Sequence, residues 1–193
     1  MPSRTTEFAI GNYYHLYNRG VGRQSIFLEP GNYEFALRRI KKYAREFDIA
    51  VVAYCLMPNH YHLLVRQDAD EPAGRLTQLV FNSYTKAFNK QQGRSGTLFE
   101  GRYKSIHVDR DEYLLHLCRY IHANPVKAGL VARLDEWPYS NYLEWIGVRN
   151  GTLIDRAFVR EFFPEPHGYV KFVQDYLAGY DALPDGIDMY LLD

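Results

Sequence analysis

The chain has 193 residues, with 23 Lys or Arg balanced by 23 Asp or Glu, so its formal net charge is zero. That length is most simply one domain with room for a short appendage, and a neutral chain is not a general duplex-coating protein. No run reaches the ~18 apolar residues of a membrane helix, residues 1–8 lack a secretory h-region, and Cys55 and Cys118 sit in apolar runs with no Cys-x-x-Cys partner, as buried reduced thiols do. A cytoplasmic protein with no membrane partner is expected.

Tyr13 to Asn18 predicts a first strand, followed by a glycine-containing loop over 21–31. Residues 32–47 suit a helix capped by Asn32, with Phe35, Ile40, Tyr43 and Phe47 roughly on one face. Ile49 to Leu56 is β-branched and apolar, which predicts a buried strand. Pro58-Asn59 is turn chemistry and leads into an apolar strand beginning at His60. Residues 74–91 predict a second long helix with Leu76, Leu79, Val80, Tyr84 and Phe88 inward. Phe99 to Val108 reads as a fourth strand, and a third helix runs from Asp109 or Asp111 to about Asn124, where Pro125 should stop it. Residues 126–150 read as an irregular arm with a short helix, and 156–180 as one or two helices broken by Pro164 and Pro166. The order predicts an α+β fold: a ferredoxin-like βαββαβ antiparallel sheet with an additional helix over its open face and a helical C-terminal extension. The hairpin 49–66 should lie at the sheet centre, because Ile49 to Leu56 is too apolar for an edge. Residues 1–150 would form the main domain, and 151–193, which carry a charge balance of −5, an acidic extension packed on it.

Two patterns carry chemistry. His60 and His62 are i and i+2 on a strand, so both imidazoles project from one face and could grip a single metal ion. Tyr120 and Asn124 are i and i+4 on the third helix and share a face, whereas His122 is turned about 200° away. Taken singly, a His-x-His is most often two side chains on a wet strand and a Tyr is most often core. The combination points to a metal site with a phenol over it.

Five blocks then resemble one family. They are Tyr13-Tyr-His-Leu-Tyr-Asn-Arg-Gly20, Cys55-Leu-Met-Pro-Asn-His-Tyr-His-Leu-Leu-Val65, Gly101-Arg-Tyr-Lys-Ser105, Tyr120-Ile-His-Ala-Asn-Pro-Val-Lys-Ala-Gly-Leu-Val131 and Trp137-Pro-Tyr-Ser-Asn141. In this order they resemble the REP-associated tyrosine transposases, relatives of the small single-strand insertion-sequence transposases in the HUH endonuclease group. In the His–hydrophobe–His signature, Tyr61 takes the middle place. The resemblance spans about residues 8–145 and is thin after 150.

That resemblance implies cleavage and strand transfer of single-stranded DNA through a 5′-phosphotyrosine, at hairpin-forming repeats, by a monomer or homodimer. It makes Tyr120 the nucleophile. A phenol of pKa ~10 is a weak nucleophile at neutral pH, so a divalent metal, Mg²⁺ or Mn²⁺, is implied, held by His60, His62 and Asn124. Related transposases often carry Gln at the third ligand position. Arg19, Arg23, Arg102, Lys104 and Lys127 are the candidate DNA-binding residues. The basic residues of helix 32–47 should face away. The competing reading is a non-catalytic single-stranded nucleic-acid-binding module on the same scaffold. A structural zinc site would want four tight ligands, typically including Cys, and neither cysteine is placed for it.

Overall fold

A computed structural model describes residues 6–192, without the side chains of 189 and 190. Strands β1 (Tyr13–Arg19), β2 (Ile49–Met57), β3 (His60–Gln67) and β4 (Lys104–Val108) form one antiparallel sheet in the order β2-β3-β1-β4. Helices α1 (Pro30–Glu46) and α2 (Gly74–Gln91) cover one face. Helix α3 (Asp111–Lys127) covers the other, backed by α4 (Tyr142–Trp145), α5 (Arg156–Phe162) and α6 (Pro166–Leu177). This is the ferredoxin-like arrangement read from the element order.

Strand alternation divides the sheet into two cores. Tyr14, Leu16, Tyr61, Leu63 and Val65 pack under α1 and α2. Tyr61, between the two histidines, is fully buried there and stacks on Phe81 at 3.7 Å between ring centroids. The bulky residue of the signature thus anchors the strand in one core while its neighbours face the other side. Ala53, Cys55, Met57 and Leu64 pack under α3 together with Trp145, Phe158, Tyr169 and Val173. A register shift between Val51 and Ala53 also puts Val52 in this second core. The elements beyond residue 150 therefore share the hydrophobic cluster that holds α3.

Four expectations need correction. β2 lies at a sheet edge, not at the centre. Its apolar character survives because the arm after α3 covers it. The Leu56 amide donates to the Tyr139 carbonyl, the Asn141 amide to the Tyr54 carbonyl, and the Trp137 and Trp145 indoles to the Leu56 and Val52 carbonyls. Helix α3 runs through Pro125 to Lys127. A proline in the last turn forfeits one helical bond, and the helix still closes through the Ala128 and Leu130 amides on the Asn124 and Pro125 carbonyls. Helix α1 begins at Pro30, whose fixed φ suits the first helical position, and Asn32 instead accepts from the Leu28 amide at 3.0 Å. β4 begins at Lys104; Phe99 makes only an isolated bridge to Gly20.

Gly20 has a steric reason. A Cβ there would lie 2.1 Å from the Gln24 carbonyl oxygen. The Gly20 amide donates to the Asn59 carbonyl, while the Ile26 and Phe27 amides both donate to the Pro58 carbonyl. The turn before His60 is thus tied down by the loop that follows β1.

Candidate active site

The register sets Tyr17 opposite His62 and Arg19 opposite His60, on the face beneath α3. The His60 and His62 ring centroids are 5.0 Å apart and edge-on. Tyr120 meets His62 edge-on at 5.6 Å. Asn124, one turn further along α3 on the same face as Tyr120, acts on the His60 imidazole, and its Nδ2 donates to the Tyr120 carbonyl at 2.9 Å. The four residues that sequence spacing picked out are thus brought together within one chain.

The two histidines differ in burial. His62 is fully buried and only His60 retains exposure. Helix α3 and the aromatic strand residues close over His62. Burial pushes the His60 imidazole down to about 4, its hydrogen bond with Asn124 opposes this, and the nearby Arg19 charge adds to it. Burial also drives His62 well below the ordinary histidine range, with His15 and His60 acting in the same direction. Both rings are therefore held neutral, the form that ligates metal.

His62 Nδ1 shares a 2.9 Å hydrogen bond with His15 Nε2, whereas His62 Nε2 is buried with no partner among the described residues. An orphaned buried nitrogen costs about 1–3 kcal/mol, and a cation there would satisfy it. Among the described residues no three His, Cys, Asp or Glu side chains converge. Two imidazoles plus the Asn124 amide nevertheless suit a divalent ion that keeps open positions for substrate oxygens. The residues present fit the implied metal, as a site that protein ligands leave incomplete.

The Tyr120 hydroxyl hydrogen-bonds the Leu192 carbonyl at 3.1 Å and lies 3.3 Å from the Leu192 amide. Leu192 also lines a small cavity of about 130 Å³ with Arg19, Arg23, Asn59 and His60. Asn59 Oδ1 lies 2.7 Å from His60 Nδ1.

The basic residues divide. Arg19 and Arg23 stand beside His60 in that cavity, and Arg19 pairs with Glu100. Lys104 sits 5.8 Å above the Tyr17 ring, on the same face. Arg102 instead lines a cleft on the other face with Asn18, Tyr61 and Phe81. Lys127 is drawn to α6, where its Nζ donates to the Tyr176 hydroxyl at 2.8 Å. Sequence reading missed His15, Tyr17, Asn59 and Leu192. Alternation in β1 could have put His15 and Tyr17 on one face, but not which strand they faced.

His122 and Asn141, both in the matching blocks, are structural. His122 Nε2 lies 2.9 Å from Asn141 Oδ1 and its Nδ1 2.5 Å from the Tyr169 hydroxyl. Asn141 also accepts from the Tyr54 amide and donates to the Val52 carbonyl.

The family model described as "Transposase IS200 like" matches residues 10–124. A Haemophilus influenzae protein named as a candidate REP-associated tyrosine transposase is 28% identical over 113 residues, covering 53% of this chain and 64% of that protein, so the chain spans somewhat less than two thirds of that relative's length. The solved structure of a REP-associated tyrosine transposase bound to a REP hairpin superposes with a TM-score of 0.62 at 18% identity, over 81% of this chain and 98% of that one. That likeness is one of fold. Among the described residues no helix is long and apolar enough to cross a membrane. The match to the family model spans more than half of the chain and includes both histidines, the tyrosine and the asparagine of the site; the chain belongs to the IS200-like transposase family.

Proposed function

We propose that this protein cleaves and rejoins single-stranded DNA through a covalent link to Tyr120, at hairpin-forming repeats of the REP type. The observation that carries this reading is the edge-on approach of Tyr120 to His62, with His60 beside His62 and Asn124 one turn from Tyr120 on the same helix. The DNA class comes from the REP-associated transposases that the chain resembles in sequence and fold.

In the reaction the Tyr120 oxygen attacks a backbone phosphorus. An O–P bond to tyrosine forms as the P–O3′ bond breaks, the phenolic proton passes to solvent, and the DNA 3′ oxygen leaves as a hydroxyl. The bond is exchanged, not hydrolysed, so a 3′-hydroxyl can later attack the phosphotyrosine and restore a phosphodiester without ATP. His60, His62 and Asn124 would hold a divalent ion, Mg²⁺ or Mn²⁺, which when bound polarises the phosphate and stabilises the charge that builds during attack. Burial keeps both imidazoles neutral, and Asn59, whose Oδ1 lies 2.7 Å from His60 Nδ1, orients His60. Arg19, Arg23 and Lys104 would draw the strand across this face as phosphate contacts. Arg19 must exchange Glu100 for phosphate as it does so. Arg102 and Lys127 stand outside this path.

The test is a denaturing-gel assay with labelled single-stranded hairpin DNA from the gene's own flanks. Wild type should give a covalent adduct, and Tyr120→Phe, which removes one oxygen, should lower it at least 100-fold with little change in DNA affinity. An adduct that persists in the Phe variant excludes Tyr120. Hairpin binding by both proteins without any adduct would favour a non-catalytic binding module.

A further inference from the structure

Hydrogen bonding around His62 assigns a role to a residue outside the ligand set. We propose that His15 is a positioning residue that holds His62 in the tautomer whose Nε2 presents a lone pair to the site. This rests on the reading of His60 and His62 as metal ligands.

His15 lies two residues before Tyr17 on β1 and so shares its face, diagonal to His62 on β3. Both rings are fully buried and nearly parallel, with centroids 5.1 Å apart and an interplanar angle of 18°. They share one hydrogen bond, His15 Nε2 to His62 Nδ1, at 2.9 Å. A neutral imidazole has one N–H and one lone pair, so the two tautomers are linked. If His62 Nδ1 accepts, its Nε2 carries the hydrogen and cannot ligate. If His62 Nδ1 donates to His15, the Nε2 lone pair is available in a pocket where that atom has no other partner among the described residues. In the second arrangement His15 carries its own hydrogen on Nδ1.

Metal-bound histidines almost always give their second N–H to an acceptor that fixes ring and tautomer, and losing that acceptor costs 10–100-fold in metal affinity or activity. The common acceptors are carboxylates, carbonyls and water. Here a second buried histidine does the same work, and it adds no negative charge to a pocket that must admit a phosphodiester.

Two readouts independent of DNA cleavage test this. Long-range ¹H–¹⁵N NMR of the metal-free wild-type protein should show His62 with a protonated Nδ1 and a pyridine-type Nε2. The opposite pattern overturns the proposal whatever the metal does. Titration with Mn²⁺, followed by loss of the free-ion EPR signal, should give a 10–100-fold weaker site in His15→Leu, which has no acceptor. His15→Gln, whose amide oxygen can accept from Nδ1, should recover most of the affinity. Thermal unfolding of both variants checks that they fold. Unchanged Mn²⁺ affinity in a folded His15→Leu protein overturns the positioning role alone. Failure of wild type to bind Mn²⁺, or undiminished binding by His60→Ala, overturns the ligand reading and the proposal with it.

Discussion

At the scale of residues, the two histidines of the signature differ in what their loss should do. His60 keeps exposure at the mouth of the site, whereas His62 is enclosed and bonded to His15. His62→Ala should therefore destabilise the fold by about 1–3 kcal/mol, since it opens space and leaves a buried ring nitrogen unpaired. His60→Ala should cost less than about 1 kcal/mol. Both should abolish the covalent adduct. Urea unfolding alongside the adduct assay separates the two effects, and equal destabilisation by the two substitutions would contradict the difference in burial. The shared face of His60 and His62 was legible in the sequence because strand period alone decides it. The enclosure of His62 was not, because it depends on a helix about fifty residues later. The partnership with His15 needs the register between β1 and β3, which no local pattern contains.

At the scale of elements, the arm between α3 and α4 explains both a misreading and a pair of motif residues. An apolar strand reads as central because exposed edges are usually blunted. β2 keeps its apolar face at the edge because residues 137–141 supply partners for its backbone. Asn141 is the clamp. It joins Tyr54 and Val52 of β2 to His122 of α3, so it fixes the strand beside the site relative to the helix that carries Tyr120. Asn141→Ala would leave two buried groups unpaired, the Tyr54 amide and His122 Nε2, and take one of two donors from the Val52 carbonyl, and should destabilise by about 2–4 kcal/mol. Hydrogen exchange at the Tyr54 amide should accelerate more than at amides in the middle of α2. A loss below about 0.5 kcal/mol would contradict the clamp. Helices α1 and α2 and their order were readable from apolar periodicity, whereas the Asn32 cap was not borne out. The passage of α3 through Pro125 was not, because a proline so near a helix end removes little that the next turn cannot replace.

At the scale of the whole molecule, buried neutral histidines tie stability to pH. Burial holds His122 down at about 4, against a smaller opposing effect of its Asn141 hydrogen bond. The same ring in the unfolded chain titrates near ~6.5. Between those values the unfolded chain binds more protons, so stability is full above about pH 7 and falls as the pH drops towards 4, by about 3 kcal/mol from His122. His60 and His62 act in the same direction. Urea midpoints measured from pH 7.5 to 4.5 should decline steadily in wild type and less steeply in His122→Gln. A flat profile would contradict neutral burial.

The far end of the described chain also reaches the site, since Leu192 holds the Tyr120 hydroxyl. On the proposed reading, that contact opens before the hydroxyl meets a phosphate. Deleting residues 191–193 should therefore speed adduct formation severalfold with little change in unfolding temperature. An unchanged or slower rate would mean that the contact does not compete with DNA. Nothing in the sequence signalled this, because Leu192 lies in no motif and meets α3 only through the fold.

The central claim is that one phenol, Tyr120, carries the DNA. The most direct measurement is mass spectrometry of the covalent product after nuclease and trypsin digestion. Cleavage after Arg119 and Lys127 gives a peptide whose only tyrosine is Tyr120, and fragmentation should place the nucleotide mass on that residue. A nucleotide on Tyr17, Tyr61, Tyr103 or any other tyrosine, or a product that carries none, would contradict it.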